Sequence, residues 1–431
     1  MYQIDFNKPQ AIHFIGIGGI SMSGLAEILL QEGFRVSGSD AQKSGLTEHL
    51  EQKGAKIFIG QRASNIEDGT EVVVYTAAIH EDNPEFMEAK HRQLPMLSRA
   101  ELLGEMMRNY HQAIAIAGTH GKTTTTSMLT EILLKAQADP TISVGGMLDS
   151  IQGNIRIGSS DLFVTEACEY TNSFLSFFPT MEIILNIEAD HLDFFKDLDD
   201  IRNSFHLFAE RMPEGGTLII NSDIEHYQEI TRGINGKIIT FGKAEGSMYR
   251  AENIEYDEFA RPSYDLIKEG KMLGRIQLGV TGEHNVYNSL SAIAAAAELG
   301  ISIEDIQEGL SGFSGPHRRF EKKGEIGGIT IIDDYAHHPQ EIHATLSAAK
   351  NYPHKTLWCV FQPHTYTRTK ALMDDFAKSL AEADEVVLAD IYPARETDNL
   401  GISSADLAEK IEKLGTKVHY LPSFDDIETF L

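Results

Sequence analysis

A three-unit α/β fold is what this sequence predicts, and three observations predict it. Short apolar runs alternate with helical stretches along the whole chain. That cycle starts afresh near residue 111 and again near residue 315, and two of the apolar runs end in glycine loops that open helices. Strands this apolar, separated by helices, form mostly parallel sheets covered on both faces. A chain of 431 residues also exceeds one ordinary hydrophobic core. The predicted units are 1–110, 111–314 and 315–431.

The first unit opens with "AIHFIGIGG", a buried strand ending in glycines, then "SMSGLAEILLQEG", a helix stopped by Gly33. "RVSGSD", "KIFIG" and "EVVVYTAAI" read as further strands, with a helix over "GLTEHLEQKG". The stretch 91–112, "HRQLPMLSRAELLGEMMRNYHQ", lacks a clear period, contains Pro95 and reads as the exit from this unit. The second cycle begins at "QAIAIAGTHGKTTTTSMLTEILLKA", again strand, glycine loop and helix. The strands "DLFVTEA", "MEIILNI" and "GTLIINS" follow, then a β-rich patch over 237–280 and a helix of small residues, "NVYNSLSAIAAAAELG". "GLSGFSGPHRRFE", with Pro316, reads as a hinge. The third cycle runs through "GITIIDDYAHHP", "TLWCVFQPH", a helix over "TKALMDDFAKSLAEA", then "EVVLADIY" and "KVHYLP". No residue-level repeat relates the three.

Composition narrows the class. Hydrophobic residues make up 42% and charged ones 23%, with no apolar run near the ~20 residues of a membrane span. The polar start "MYQIDFNKPQ" does not read as a signal peptide. Cys168 and Cys359 stand far apart without CxxC spacing, so a disulfide framework and a cysteine zinc site are not expected, and a reducing cytoplasm is. The formal charge of −27 argues against a nucleic-acid partner. It leaves small anions open, because backbone N–H groups at helix starts hold those whatever the global charge.

Two loops have the look of phosphate cradles. In "FIGIGGISMSG", Gly16, Gly18 and Gly19 close a strand and open a helix, and Asp40 ends the next strand where a ribose-binding acid would sit. Ser21 replaces the third glycine of the dinucleotide fingerprint, so alone this is a weak signal, equally a plain tight turn or an NAD site. The second loop, Gly118-Thr119-His120-Gly121-Lys122-Thr123, is shorter than the usual lysine loop, with Ile116 where its first glycine belongs. Its context still places N–H groups, an ammonium and a hydroxyl at one helix start. Four threonines after "GK" suit a helix start better than a core.

Polar residues collect at strand ends, where parallel sheets bind ligands. Glu166 and Glu169 end one strand; Glu188, Asp190, His191 and Asp193 end another, and this set can hold Mg²⁺ beside a terminal phosphate. Asn285 and Asn288 lie at i, i+3 and either read a base edge or cap a helix. Arg318 and Arg319 follow the hinge, where an arginine can reach a phosphoryl group or a surface acid. "IIDDYAHHPQE" and "FQPHTYTRTK" add polar strand ends, the latter with His364, Arg368 and Lys370.

In order, "GIGGISMSG", "GTHGKT", "EACEYTNSF", "NIEADHLD", "GEHNVYN", "HRRFE", "DDYAHHP" and "FQPHTYTRT" resemble the motifs of the Mur ligase family over essentially the whole chain, and within it the branch that adds alanine. The resemblance implies an N-terminal Rossmann-like UDP-binding domain, a central ATPase domain and a C-terminal Rossmann-like domain that brings the amino acid. It implies ligation of L-alanine to the lactyl carboxylate of UDP-N-acetylmuramate, driven by ATP with Mg²⁺ or Mn²⁺, in peptidoglycan precursor synthesis by a monomer or homodimer. Under it, Gly16, Gly18, Gly19, Ser21, Ser39, Asp40, Thr76 and Ala77 face the UDP-sugar. Gly118, Thr119, His120, Gly121, Lys122, Thr123 and Thr124 wrap the ATP phosphates, and Asn285 and Asn288 stand on the adenine side. Thr123, Glu166 and His191 are the implied metal ligands. Lys122, Arg319 and Asp334 complete the phosphoryl site, and Tyr335, His337 and Arg368 form the alanine pocket. Several relatives carry a carbamylated lysine near the position of Phe205 here, so the resemblance implies a second metal held otherwise. It also implies a glycine-containing last strand beyond "FDDIETFL", and hence a shortened third domain. The alternatives are a recycling ligase that adds a murein tripeptide to the same nucleotide sugar, an NAD-dependent oxidoreductase built on residues 12–40, and a non-catalytic nucleotide-binding regulator.

Overall fold

The structure is a computed structural model that describes residues 2–192, 194–394 and 396–431. Asp193, grouped above with the strand-end acids, lies outside the described residues.

Five parallel strands build the first sheet, in the spatial order Lys56–Ile59, Arg35–Asp40, Ala11–Ile15, Val72–Tyr75, Met96–Ser98. The last strand corrects the reading of 91–112 as an unpatterned exit. Met96–Ser98 pairs with Val73–Tyr75, and Ser98 caps the helix Arg99–Met107 in a capping box with Glu101. Both elude hydrophobic periodicity for physical reasons. Three residues are too few to show alternation, and the helix is buried on nearly all sides, so it carries no polar stripe.

The central sheet has ten strands. From Lys271–Gln277 it runs through Pro262–Lys268, Tyr249–Tyr256, Lys237–Phe241, Thr217–Asn221, Met181–Ile184, Gln112–Ala117, Leu162–Ala167 and Thr141–Leu148 to Gly153–Arg156. Pairing is parallel through the middle and antiparallel at both edges. The edge hairpin Thr141–Leu148/Gly153–Arg156 has no counterpart in the sequence reading, and it touches all three units. Ile155 packs against Gly24 of the first unit's helix, Gly145 donates its N–H to Glu166, and Met147 O accepts from His317 N. The first and central units share one continuous apolar core, with Phe14, Phe163 and Phe205 all fully buried in it.

The third unit has its own core around Phe376, Leu380, Val386 and Leu407 and a three-stranded parallel sheet, Trp358–Phe361, Glu385–Leu388, Lys417–Tyr420. The strand inside "GITIIDDYAHHP" does not open that sheet as expected. Ile329–Asp333 folds back on Glu321–Ile326 as a separate antiparallel hairpin. Gly327 and Gly328 turn with φ of 59° and 82°, the left-handed pair that a tight hairpin requires. No helix of the described residues is long and apolar enough to cross a membrane.

Candidate active site

The strand Gln112–Ala117 lies between Leu162–Ala167 and Met181–Ile184 and delivers the shortened loop to the helix Lys122–Lys135. Gly121 is the N-cap at φ 84°, and a Cβ there would sit 2.6 Å from Asn288 Oδ1, so both its backbone and the space above it exclude a side chain. Asn186, just past its own strand, pins the loop from below. Its Oδ1 accepts from His120 N at 2.8 Å, its Nδ2 donates to His120 O at 3.0 Å, and its carbonyl accepts from Thr119 N at 3.2 Å.

Lys122 Nζ donates to the carbonyls of Gly118 and Thr119 and lies 3.0 Å from Glu169 Oε2. Burial alone would depress this ammonium; Glu169 outweighs it and keeps the lysine charged. Thr123 Oγ1 donates to Glu166 at 3.1 Å, and Thr124 lines the adjoining cavity. Two of the four threonines read as a polar helix start are otherwise placed: Thr125 and Thr126 are fully buried. The helix is embedded on that side, and packing sets their position.

Burial pushes the Glu166 carboxyl up despite the Gly145 N–H and the Lys122 charge nearby. A buried carboxylate beside a hydroxyl fits a hard cation taking oxygen ligands, as Mg²⁺ and Mn²⁺ do. His191 packs against Asp190, at 3.8 Å, and Tyr170, with ring centres 4.5 Å apart. Burial holds its imidazole below the usual range, which leaves a lone pair on the ring. Phe205, near where the resemblance implies a carbamylated lysine in several relatives, is sealed in the core against Phe174.

A cavity of about 760 Å³ opens over the loop and draws its walls from two units. His120, Gly121, Thr124, Asn285 and Asn288 come from the central unit; Arg319, Asp334 and Glu341 come from the third. Asn285 does not cap its helix, whose N-cap is Gly282. Its Nδ2 donates to Thr281 O at 2.7 Å, and its Oδ1 accepts from Asn288 Nδ2 at 3.0 Å. Arg319 lies 3.5 Å from Glu341 with its guanidinium over Tyr335. Asp334 accepts from Phe320 N and Ala336 N at 2.7 and 2.8 Å, and burial pushes its carboxyl up.

Tyr335 and His337 stand together, His337 Nδ1 lying 2.9 Å from Tyr335 O. Arg368 reaches across to the central unit, donating to Asp190 Oδ1 at 3.3 Å, beside His191. Glu341 is the residue that sequence reasoning missed here. It faces His120 and Arg319 and accepts from His337 N, and its place three residues into a helix opened by His338-Pro339 was the available signal. Asn186 was likewise passed over, although it directly precedes "IEADHLD".

The first glycine loop forms a separate cradle. Gly16 N and Ile17 N donate to Ser39 O, and Gly18 N donates to Asp40 Oδ2 at 2.9 Å. Thr76 closes on Gly16, where a Cβ would come within 2.8 Å of its methyl, and Ala77 is exposed beside it. Gly19 caps the helix Ile20–Gln31 with no side-chain bond, and Ser21 accepts from Arg99 at 3.2 Å. The Ser39 side chain faces away from the loop: its hydroxyl is fully buried and donates to Glu85 at 2.6 Å. Ser39 therefore presents only its backbone here.

Comparison with known proteins agrees with this layout. Family models for "Mur ligase family, catalytic domain", "Mur ligase middle domain" and "Mur ligase, glutamate ligase domain" match residues 11–111, 116–296 and 318–430. A UDP-N-acetylmuramate–L-alanine ligase of Lachnospira eligens is 61% identical over all of this chain and 94% of its own length. The protein of that name from Agathobacter rectalis is 58% identical with the same coverage. Among solved structures, the UDP-N-acetylmuramate–alanine ligase of Thermotoga maritima superposes with a TM-score of 0.78 at 30% identity, covering 98% of this chain and 92% of that one. A murein peptide ligase of Psychrobacter arcticus follows at 0.70 and 27%, with the same coverage. With all three regions matched and relatives above half identity along its full length, this chain is a member of the Mur ligase family.

Proposed function

We propose that the chain joins L-alanine to the lactyl carboxylate of UDP-N-acetylmuramate at the expense of ATP, releasing ADP and phosphate. The observation that carries this reading is the single cavity in which the phosphate loop, the Asn285–Asn288 pair and the third unit's Arg319 and Asp334 meet. The alanine-adding name of the 61% and 58% identical relatives favours this reaction over tripeptide addition, the activity named for a protein at 27%. A nicotinamide oxidoreductase would leave the second loop and its acids without a task.

In this reading, residues 1–110 hold the UDP-sugar, 111–314 hold ATP and 315–431 bring the amino acid. Lys122 and Arg319 offset charge on the transferring phosphoryl group, where positioned electrostatics carry most of the catalysis. Thr123 and Glu166, with His191 as the further ligand the resemblance implies, would hold Mg²⁺, which supplies Lewis-acid neutralisation of the phosphate oxygens. The lactyl carboxylate attacks the terminal phosphorus, ADP leaves, and the carboxyl is now an acyl phosphate. The alanine amine then attacks that carbonyl carbon and phosphate departs with the C–O bond pair. Arg368 is suited to the alanine carboxylate because a guanidinium pairs with it bidentately. Closure of the third unit over the loop excludes water from the hydrolysable intermediate. The chain acts as a monomer or homodimer, and its two unpaired cysteines and nucleotide substrates fit work in the cytoplasm.

Phosphate release is the test, measured with UDP-N-acetylmuramate, ATP and Mg²⁺ while the amine is varied among L-alanine, L-serine, glycine and the murein tripeptide. Turnover with L-alanine is expected. Turnover with the tripeptide alone would overturn the assignment.

A further inference from the structure

We propose that His120, Glu188 and His338 form a second cation site, of the class that takes Zn²⁺ or Co²⁺, and that it ties the phosphate loop to the third unit. Among the described residues this is the one group of three such side chains whose ligand atoms all lie within 4.8 Å of one another. It is separate from the Thr123–Glu166 pair and differs from it in chemistry. Two imidazole nitrogens and one carboxylate oxygen suit borderline transition metals, whereas Mg²⁺ takes oxygen.

The second observation is that His120 Nε2, Glu188 Oε2 and His338 Nε2 are buried and make no hydrogen bond: the first two face only each other, and His338 Nε2 has no partner. His120 Nε2 and Glu188 Oε2 are only 3.1 Å apart and still do not align as donor and acceptor. That spacing is close to the edge of a coordination tetrahedron with bonds of about 2.0–2.2 Å. His338 is itself only 4% exposed, and its ring centre stands 4.8 Å from that of His120. An outer shell is also present. His120 Nδ1 faces Glu341 at 3.4 Å, the carboxylate–histidine arrangement that orients a metal-bound imidazole. Arg319, 3.5 Å from Glu341, offsets part of the local negative charge.

His120 faces both Glu188 and Glu341, at 3.1 and 3.4 Å. His338 Nδ1 accepts from Gln340 N at 3.4 Å, which puts its own proton on Nε2. A cation here takes the Nε2 lone pair of each imidazole, so the His338 proton moves to Nδ1. The hydrogen bond from Gln340 N that this proton shift displaces is at the long limit of such bonds, and Glu341 still accepts from His337 N and His338 N to hold that helix start. A bound ion would join the loop at 118–121 and the strand end at 185–190 to the helix Pro339–Lys350, holding the third unit down.

The experiment is calorimetric titration of the full chain with Zn²⁺ and with Co²⁺, without nucleotide or Mg²⁺. One equivalent should bind, and Co²⁺ should show the intense visible bands of a four-coordinate site. Glu341→Gln should weaken binding about 10–100-fold, the range for loss of an outer-shell partner. His338→Asn and Glu188→Gln should weaken it further, with thermal melts reporting that each variant is folded. If His338→Asn does not fold, Glu188→Gln decides alone. Absence of stoichiometric binding overturns the proposal. So does wild-type affinity in the folded ligand variants, or loss of the ion on Glu166→Gln instead.

Discussion

Replacing Lys122 with alanine separates catalysis from architecture at this site. The ammonium has two tasks in the structure: it sits at the mouth of the phosphate loop, and it neutralises Glu169, whose side chain is only 3% exposed, at 3.0 Å. Loss of one electrostatic donor to a transferring group costs about 2.7–4 kcal/mol, or 10²–10³ in kcat. Loss of the partner of a buried carboxylate costs about 3–5 kcal/mol of stability. Both effects are expected in Lys122→Ala, read as ADP release in a coupled assay and as the urea midpoint. Adding Glu169→Gln removes the unpaired charge, so the double variant should regain much of the midpoint while remaining at least about 100-fold slow. UDP-N-acetylmuramate binding, measured by calorimetry, should stay near normal in both, because the first glycine loop belongs to a different sheet. ATP turnover that survives Lys122→Ala, or returns in the double variant, would show that the lysine is a structural counter-ion only.

Three further outcomes are expected. Gly121→Ala forces a left-handed residue, at about 1–2 kcal/mol, and sets its Cβ 2.6 Å from Asn288 Oδ1, so the melting temperature should fall and KM for ATP should rise. An unchanged KM would place the nucleotide elsewhere. Arg368→Lys keeps the charge but loses the planar fork; forfeiting one charged hydrogen bond, about 1.5–3 kcal/mol, should raise KM for L-alanine roughly 10–100-fold and leave KM for ATP alone. Equal changes in both would make Arg368 a clamp between units through Asp190. Glu321 is held down to about 2 by Lys323, the Arg318 N–H and His317. Its folded value is depressed, so its contribution to stability is present above about 4.5 and is lost as pH falls toward about 2. Urea midpoints of wild type and Glu321→Gln should therefore converge as the pH is lowered from about 6 to about 3, and a constant gap would refute this.

Closeness along the chain is what makes much of the site legible in the sequence. Strand, glycine loop and helix are consecutive, so Gly118 to Thr124 can be assigned to one place by local chemistry alone. The same holds for Tyr335 with His337, which are two residues apart and share a hydrogen bond. Contact at long range is what sequence does not reveal. Asn186 touches the loop from 66 residues away, and Glu341 meets His120 only because the third unit lies against the central one. The hairpin Thr141–Arg156 is hidden because Gly145 and Gly146 interrupt its alternation, yet those glycines leave room for Glu166 and Thr123. Ser39, which the resemblance places at the UDP-sugar, donates its hydroxyl to the buried Glu85, another contact between residues far apart in the chain.

The shortened loop also ties together the residues proposed for the two halves of the nucleotide. A Cβ at Gly121 would meet Asn288, and Asn288 is hydrogen-bonded to Asn285, so the proposed phosphate and adenine sides would meet through a single glycine. On the other side of the loop, His120 is bonded through its backbone to Asn186 while its ring faces Glu188 and Glu341. One residue is thus fixed to the central sheet by its main chain and to the third unit by its side chain. Any movement of the third unit that parts Glu341 from His120 and Arg368 from Asp190 breaks two charged contacts across the same seam. Opening therefore requires something to replace both, and the charges that the proposed reaction brings to the seam are of the right sign: nucleotide phosphates for Arg319 and His120, and the alanine carboxylate for Arg368. Substrate entry and release of the third unit are on this view a single exchange of ion pairs, and high salt should favour the open form in the absence of substrates.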